Sequence, residues 1–569
     1  MGGRREFATL FAAVAVLSLA LGVRAQRSLV SGEPCVFPFQ FEGRTYFDCL
    51  DFQGSEWCEA EGGFFGQCAP GSPASSSGSA SSVGSRGPGI PAPVTSAPEE
   101  PVQPPPSAPV LPASAPVPPL ASSGSDCCNL LSGIGFSSSV PVVIINTGGQ
   151  AIPDEPKIPA SICTCNSPGG DIAANIKIEI RGSTSAREFL KKSFAFKVID
   201  DQGKDMDVSF MGFPEDSDFV LYGPEMDKTM GMKNYLTMAL ARATGRYASN
   251  TQYVETFLVQ DGGQLSIDHY HGIYIAMEKI KKDKNRVNVQ KNEADISGGY
   301  IFKYDNDNFD EGDKIIKTTF TELEFVCVYP KKDKVTQDQL NWIGSYLGDW
   351  EKAMGTRDRN QWTPYIDEGS FVDYFLITEM SKNPDGYRGS TYFHKDAGGP
   401  LVAGPAWDYN EAYGQCCGYP IEGYDNDGIS TGVSGGSAIS PEGWRFNICI
   451  EERRCIEDPR DGTSPYYMIM MEDPTFRSLV ESRWSELRAG PWSTSSIEGL
   501  ISQLKGQIQD PVLRNLKRWK TSKFLEGVSG NDQKNLDFWS FEVNAMLEWV
   551  RSHAAWIDSQ LSGSPALGK

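Results

Sequence analysis

Residues 71–125 are built almost entirely of proline, serine, alanine and glycine, and they carry almost no charge. A segment of this composition cannot bury enough apolar surface to form a core, so it favours an extended, solvated chain. We therefore predict a linker that divides the 569 residues into a short N-terminal part and a long C-terminal part. Each part must fold around its own core, because a chain of this length exceeds what one core usually supports.

The N-terminus has the pattern of a secretory signal peptide. Arg4 and Arg5 precede the apolar run FATLFAAVAVLSLALGV, and the small-x-small sequence VRA ends at Ala25. A signal anchor is the alternative, but the run is short for a transmembrane span. We therefore predict that residues 1–25 are a signal peptide and that the protein is secreted, to the extracellular space or the secretory-pathway lumen. No membrane span is expected after cleavage.

Charge and cysteine content narrow the possible partners and compartments. The net charge of −21 disfavours nucleic acid and anionic membrane surfaces and favours cationic substrates or divalent metal ions. The 13 cysteines are typical of an oxidising compartment, and their odd number leaves at least one thiol free or paired with another chain. We expect structural disulfides, rather than metal or redox sites, at Cys127-Cys128, Cys163, Cys165 and Cys416-Cys417.

Residues 31–70 contain four cysteines in a unit too small to be stable without disulfides. The sequence CVFPFQFEGRTYFDCLDFQGSEWCEAEGGFFGQC resembles a fibronectin type II module, through C-x-x-P-F-x-F, through the cysteine after seven further residues and through Trp57-Cys58. The resemblance implies the disulfides Cys35–Cys58 and Cys49–Cys68. In this chain the spacing before Trp57 is one residue shorter than in the family, and the last loop is truncated.

The module is rich in aromatic side chains, for which two roles remain open. They form either a shallow apolar platform for an extended ligand, such as a collagen-like or other matrix protein, or simply the small core of the module. The residues concerned are Phe39, Phe41, Tyr46, Trp57 and Phe64.

Residues 126–562 carry both strand and helix signals. Alternating apolar residues predict strands in the first half, in IKIEIRG, SFAFKVID, YVETFLVQ, GIYIAMEKI and GGYIFKYD. Helical periodicity dominates the second half, as in QLNWIGSYLGDWEKAM, FVDYFLITEMS, PTFRSLVESRWSELRAG and FEVNAMLEWVRSHAAWIDSQ. This order predicts an α+β fold of two lobes with a cleft between them.

The stretch NPDGYRGST places Asp385 on a loop directly after a predicted helix. Ser390 follows five residues later, and Asp408 lies farther along in PAWDYNEAYG. Protein kinases use such an arrangement, in which one aspartate orients the substrate hydroxyl and a polar ligand and a second aspartate hold Mg²⁺. On spacing alone, however, solvated turn carboxylates are the commoner explanation.

The wider segment NPDGYRGSTYFHKDAGGPLVAGPAWDYNEAYG resembles the signature of the CotH family, the spore-coat-type atypical secretory protein kinases. The resemblance extends to IRGSTSAREFLKKSFAFKV, NTQYVETFLV, HYHGIYIAMEKIKKDKNRV and PYYMIMMEDPTFRSLVESRWSELRAG, and it covers nearly all of residues 170–560. It implies an atypical protein-kinase-like domain of two lobes over residues 126–562, with ATP and Mg²⁺ or Mn²⁺ as cofactors.

The resemblance also implies roles for residues of this segment. Asp385 matches the aspartate that acts in phosphoryl transfer, Asn383 shapes its loop, and Asp408 matches the aspartate that binds metal. Ser390 and Asn410 stand where many members carry asparagine and aspartate, and each can still offer an oxygen to a metal ion.

Three basic residues of the Arg-Gly…Lys-Lys motif, Arg181, Lys191 and Lys192, are candidate contacts to phosphate oxygens. Their alternative role is a solvated basic strand edge. Glu278 is a candidate to pair with one of the lysines, as a glutamate does in protein kinases.

The segment GGYIFKYD places Tyr300 and Lys303 on a strand that could reach the nucleotide, although an aromatic residue on a strand is more often part of the core. The acidic run DNDNFDEGD that follows resembles a calcium loop only in composition, because Phe309 occupies a ligand position.

The predicted function is that of a secreted atypical protein kinase that transfers the γ-phosphate of ATP to Ser or Thr of extracellular or secretory-pathway proteins. The type II module would tether it to a matrix-like ligand. The alternative is a non-catalytic extracellular adhesin or matrix protein that keeps the kinase-like fold as a scaffold.

Overall fold

The computed structural model describes residues 124–291, 295–305, 309–414, 439–446, 463–522 and 530–561, residues 525 and 528, and the backbone of five short strands between residues 39 and 67. The chain divides into two compact units, residues 1–112 and 113–569, and the division falls within the proline-rich segment. Among the described helices, none combines the length and apolarity needed to cross a membrane.

The N-terminal unit consists of short antiparallel strands. Two of them form a ribbon and three form a small sheet in which Trp57 pairs with Leu50 on one side and with Gln67 on the other. The ribbon is β1 (Phe39–Phe41) and β2 (Arg44–Tyr46), and the sheet is β3 (Leu50–Phe52), β4 (Ser55–Glu59) and β5 (Phe65–Gln67). The side chains of the predicted disulfides Cys35–Cys58 and Cys49–Cys68 lie outside the described part of the chain, as do Cys416 and Cys417.

The long unit begins with helix α1 (Gly124–Gly133), which two disulfides attach to a neighbouring strand. Cys127 pairs with Cys163 and Cys128 pairs with Cys165, with Cα–Cα distances of 6.1 Å and 5.1 Å. The predicted structural role of these four cysteines is therefore confirmed. Cys327 is a free, buried thiol, in agreement with the odd cysteine count.

Seven strands of the long unit close into a barrel in the order β10-β12-β11-β6-β7-β8-β9, with β9 pairing back onto β10. Only β6 and β11 run parallel. Alternating residues such as Ile176, Ile178, Phe194 and Phe196 point inward and fill the barrel with apolar side chains. The strands are β6 (Val142–Asn146), β7 (Ile158–Cys165), β8 (Ala173–Arg181), β9 (Ser193–Ile199), β10 (Asp218–Tyr222), β11 (Thr251–Val259) and β12 (Tyr270–Glu278).

A second, antiparallel sheet has the strand order β14-β15-β13-β16-β17. Its central strand β13 pairs with β16 so that Tyr304 lies opposite Thr391, which aligns the end of β13 with the start of β16. The strands are β13 (Tyr300–Tyr304), β14 (Ile315–Lys317), β15 (Glu324–Tyr329), β16 (Thr391–Lys395) and β17 (Leu401–Ala403).

One helix, α6 (Glu368–Ser381), is buried along nearly its whole length, which agrees with its apolar sequence FVDYFLITEMS and with the predicted helix. The Asp367 side chain accepts a hydrogen bond from the Ser370 amide and caps its first turn. The other helices are α2 (Thr184–Glu188), α3 (Met232–Ala243), α4 (Gln337–Gly355), α5 (Arg359–Trp362), α7 (Ser464–Glu472), α8 (Pro474–Arg488), α9 (Thr494–Arg518) and α10 (Asp532–Leu561).

The predicted mixture of helix and sheet is confirmed, but the predicted two lobes are not. Residues 113–569 form one compact unit, in which one apolar cluster joins α3, the second sheet and the long C-terminal helices while a separate cluster fills the barrel. The closed barrel was not predicted, because alternation within each strand shows which residues face inward but not which strands pair.

Helix α4 packs against the turn after β14 through glycine. A Cβ atom added to Gly344 would lie 2.3 Å from the carbonyl oxygen of Lys317. We expect Gly344→Ala to lower the free energy of unfolding by about 1–3 kcal/mol, because the clash outweighs the better helix propensity. A matched control is Gly499→Ala in α9, where no atom lies within 4 Å and a gain of up to about 1 kcal/mol is expected. Chemical denaturation of both variants measures the difference, and equal effects would contradict this packing.

Candidate active site

The pairing of β13 with β16 forms one wall of the candidate site. Because Tyr304 lies opposite Thr391, the next residue of β13 meets the residue that precedes β16. The Ser390 amide therefore donates a hydrogen bond of 2.8 Å to Oδ1 of Asp305, and the Ser390 hydroxyl lies 3.4 Å from the same oxygen. The ammonium group of Lys303 pairs with Oδ2 of Asp305. This wall thus presents an aspartate with both of its oxygens engaged.

Asp385 lies in the loop that follows α6. The helix ends at Lys382, whose backbone is left-handed with φ of 45° and ψ of 44°, so the chain turns sharply toward the site. Burial among protein atoms raises the pKa of Asp385, while Arg388 and Arg445 lower it and Asp305 raises it further. Asp385 is nevertheless exposed, so its carboxylate is accessible from solvent.

Asp408 lies in the loop after β17, in a left-handed backbone conformation with φ of 64°. Its carbonyl oxygen accepts a hydrogen bond of 3.2 Å from the Asn383 side chain, so the loops of the two predicted aspartates are joined. Burial raises the pKa of Asp408 to about 6, with further increases from Asp385 and Asp305 and decreases from Arg181 and Lys303. Like Asp385, the side chain still reaches solvent. The three carboxylates therefore lie within electrostatic range of one another.

Two predicted basic residues face this acidic group. Arg181 ends β8, and its guanidinium carbon lies 5.3 Å from the centre of the Trp407 ring. Arg181 and Lys303 both interact electrostatically with Asp408 and with each other. The structure thus brings together Arg181, Lys303, Asp385 and Asp408 as the sequence predicted, with Ser390 and Asn383 in the adjoining loops. The predicted metal ligand Asn410 follows Asp408 by two residues and is half-buried.

Lys191 does not belong to this group. Its side chain is completely buried, where the ammonium group donates to the carbonyl of Ile273 and, at 2.8 Å, to Oδ1 of Asn515. The Tyr274 ring lies 4.7 Å from its nitrogen, and burial lowers the pKa of the lysine. The predicted contact with phosphate does not fit this position, because the side chain connects the barrel to α9 instead.

Lys192, Glu278 and Tyr300 also lie apart from the carboxylates. The Lys192 ammonium group donates to the carbonyl of Ala186 at 2.7 Å. The expected pairing of Glu278 with a lysine is wrong, because this buried carboxylate accepts hydrogen bonds from Asn250 and lies 3.9 Å from Nε of Arg286. Tyr300 is a core residue that stacks on Trp342 and donates to the carbonyl of Ile296, so it is not positioned as a wall for a nucleotide base.

Asp305 is the site residue that sequence reasoning missed. It was counted with the acidic run that follows β13 and dismissed together with the calcium loop. A signal was present, because Lys303 and Asp305 are two residues apart at the end of a predicted strand and so share one face of it. That shared face does not predict the contact of Asp305 with Ser390, because the two residues are 85 positions apart in the sequence.

The donor set is compatible with a divalent cation that arrives with a nucleotide. Burial is the main cause of the raised pKa of Asp408, and Asp385 and Asp305 add to it while Arg181 and Lys303 oppose it. Within the described ranges no group of three or more His, Cys, Asp or Glu side chains is arranged to hold a metal ion alone. Mg²⁺ at nucleotide sites is usually held by one or two carboxylates together with phosphate oxygens and water, and Asp408 fits that requirement.

Comparison with known proteins gives two family matches. A family described as CotH kinase protein matches residues 178–557, and the family described as Fibronectin type II domain matches residues 35–64. A search of curated protein sequences gives no match. The first match spans all of the site residues described above, and the second precedes it in the chain.

The buried position of Lys191 generates a stability prediction. We expect Lys191→Ala to lower the free energy of unfolding by about 2–5 kcal/mol, because it leaves a cavity and removes buried hydrogen bonds to the Ile273 carbonyl and to Asn515, whose Oδ1 keeps only the Ile273 amide as a donor. Lys192→Ala, which removes one half-buried hydrogen bond, should cost about 1 kcal/mol or less. Chemical denaturation compares the two variants. A stable Lys191→Ala protein that has lost ATP-dependent thermal stabilisation would instead place the lysine at the phosphates.

The raised pKa of Asp408 generates a pH prediction. The pKa rises from 3.8 to about 6 on folding, so this group stabilises the metal-free protein most below pH 4, and that contribution is lost as the pH rises through 6. We therefore expect Asp408→Asn to melt at a higher temperature than the wild type at pH 7.5 in the presence of a chelator, and the difference should shrink toward pH 4. Asparagine also tolerates the left-handed backbone at this position.

Melting curves from pH 4 to pH 8 test this expectation, with Asp207→Asn, at an exposed position outside the site, as the control that should show no such trend. Asp408→Asn should also lose the thermal stabilisation that Mg²⁺ or Mn²⁺ with ATP confers on the wild type. A melting temperature of Asp408→Asn below that of the wild type at every pH would show that the carboxylate is not repelled by its neighbours.

Proposed function

Because its CotH match covers residues 178–557, the chain belongs to the CotH kinase protein family, and we propose that it is a protein kinase. In this proposal it transfers the γ-phosphate of ATP to Ser or Thr hydroxyls of extracellular or secretory-pathway proteins. The observation that carries the proposal is the convergence of Asp385 and Asp408 with Arg181 and Lys303 from three separate parts of the chain.

In this proposal Asp385 orients the substrate hydroxyl. Its carboxylate reaches solvent from a loop held at both ends, and its raised pKa makes it a better proton acceptor than an ordinary aspartate. The hydroxyl oxygen forms the new bond to phosphorus as the bond to the ADP oxygen breaks, and the hydroxyl proton passes to Asp385. Catalysis of this kind rests mainly on positioning and on electrostatic stabilisation.

The remaining residues divide the task of holding the nucleotide. Asp408 would hold Mg²⁺ or Mn²⁺, with oxygens of Ser390 and Asn410 as further donors, and the metal ion when bound supplies charge neutralisation for the phosphates. Arg181 and Lys303 stabilise negative charge on the transferred phosphoryl group and on the leaving oxygen. Asp305 positions two of these groups, because it pairs with Lys303 and accepts a hydrogen bond from Ser390.

The fibronectin type II module gives the proposed kinase a location. The module and the disulfides indicate an extracellular protein. We propose that the module binds a collagen-like or other extended matrix protein, and that the linker of residues 71–125 keeps the kinase domain at high effective concentration near substrates in that matrix. A kinase that is tethered in this way needs little affinity of its own for each substrate.

A phosphotransfer assay tests the proposal. The purified protein with Mn²⁺ or Mg²⁺ and labelled ATP should phosphorylate itself or a serine-rich peptide, and Asp385→Asn should lower the rate on the order of 100-fold or more, because it removes the proton acceptor. The control is Asp261→Asn, which changes an exposed aspartate in the loop after β11 and should leave the rate unchanged. Wild-type activity no higher than that of Asp385→Asn would overturn the proposal, and ATP-dependent thermal stabilisation without transfer would indicate a binding scaffold.

A further inference from the structure

The loop that carries Asp385 has no regular secondary structure of its own. It runs from Lys382 at the end of α6 to the start of β16, and only local turns, such as the bond from the Gly386 amide to the Asn383 carbonyl, stabilise it internally. A carboxylate that must meet a substrate hydroxyl within a few tenths of an ångström needs firmer support than this. The support comes from a segment about sixty residues farther along the chain.

Arg445 provides the most direct support. Its side chain is buried, and Nε donates hydrogen bonds of 3.2 Å to the carbonyl of Asn383 and of 2.9 Å to the carbonyl of Pro384. A second guanidinium nitrogen, Nη2, donates to the same Pro384 oxygen. These are the two peptide carbonyls directly before Asp385. The planar guanidinium group can engage both at once, which the single ammonium group of a lysine matches poorly.

Glu379, in the last turn of α6, holds the backbone of Arg445 in place. Its two carboxylate oxygens accept hydrogen bonds from the amides of Arg445 and Phe446, at 2.5 Å and 3.0 Å. One of these oxygens also accepts a hydrogen bond of 2.7 Å from the Tyr387 hydroxyl. The same carboxylate therefore binds both the Asp385 loop and the segment that contains Arg445. Burial raises the pKa of Glu379 to about 7.

The supporting segment of residues 439–446 is itself anchored at four further carbonyl oxygens, of which that of Ile439 accepts a hydrogen bond of 2.6 Å from Trp549. The Lys382 ammonium group donates to the carbonyls of Ser440 and Glu442, at 3.0 Å and 2.5 Å. The His553 ring lies 2.7 Å from the carbonyl of Pro441 and, through its other nitrogen, 2.7 Å from the carbonyl of Glu379. The segment is therefore clamped between α6 and α10, and it transmits that rigidity to the Asp385 loop through Arg445.

We infer that Arg445 is a positioning residue for the proposed phosphotransfer, which holds the Asp385 carboxylate at its working geometry through the carbonyls of Asn383 and Pro384. This inference rests on the proposed function. Arg445 acts through the loop backbone and through its charge, which lowers the pKa of Asp385, and it contacts neither of the pairs that hold the nucleotide side of the site, Lys303 with Asp305 and Arg181 with Trp407. Loss of the guanidinium hydrogen bonds to the Asn383 and Pro384 carbonyls should therefore lower the rate of phosphoryl transfer and leave nucleotide binding intact.

The test compares Arg445→Gln and Arg445→Lys with the wild type. We expect kcat to fall on the order of 100-fold in Arg445→Gln, with KM for ATP within about twofold, because a small misplacement of a reacting group is that costly. Arg445→Lys keeps the buried charge, so we expect it to fold even if Arg445→Gln does not. Its kcat should lie between those of the wild type and of Arg445→Gln. The matched control is Arg514→Gln, which breaks a bidentate pair with Glu255 between α9 and the barrel and should leave kcat unchanged.

A second measurement does not depend on activity. Hydrogen exchange of the amides of Asn383 and of residues 385–389 should be faster in both Arg445 variants than in the wild type, and unchanged in Arg514→Gln. Unchanged exchange in this loop, or an equal loss of kcat in Arg514→Gln, would overturn the inference. If the wild type transfers no phosphate, the proposed function fails while the exchange result still decides whether Arg445 holds the loop.

Discussion

The concentration of negative charge around Asp305, Asp385 and Asp408 is the constraint on which the rest of the domain depends. Each carboxylate makes ionisation of at least one of the others harder, and Arg181 and Lys303 compensate only in part. Groups that repel one another stay together only where the surrounding structure holds them firmly, and such arrangements are concentrated at functional sites. The buried helix α6 and the β13–β16 pairing hold the loops that carry these carboxylates, so the stability of the core maintains a site that is itself destabilising.

The backbone of the site loops also contains unfavourable conformations that the surrounding structure must hold. Lys382, Ser390 and Asp408 all have left-handed φ values, of 45°, 49° and 64°, and they lie directly after α6, directly before β16 and in the loop that follows β17. Such conformations are unfavourable for side chains other than glycine and asparagine, so tertiary contacts must maintain them. Asn383, whose side chain bonds the Asp408 carbonyl, and Arg445, whose side chain bonds the Asn383 carbonyl, form one continuous connection through these loops.

The family motifs identified Asp385, Asp408, Arg181 and Lys303 because those residues share one site and short sequence patterns surround them. The same patterns misplaced Lys191, since a pair of adjacent lysines does not reveal which side chain enters the core. Lys191 is buried against Asn515 of α9, whereas its neighbour Lys192 is half-buried and bonded to the carbonyl of Ala186. Glu278 was misplaced for a similar reason, because the motif that contains it and Arg286 does not reveal that the two side chains lie close together in the fold.

The sequence by itself determined the buried helix α6 and the strands of the barrel as separate elements, and it predicts the proline-rich linker and the two aspartates, because composition, periodicity and motifs act over short stretches of chain. Only the tertiary structure decided that seven strands close into a barrel, that Asp305 lies beside Ser390, and that Arg445 supports the Asp385 loop. The contacts of Asp305 and of Arg445 join residues about sixty or more positions apart, and their free energy depends on burial and geometry that exist only after the chain has folded.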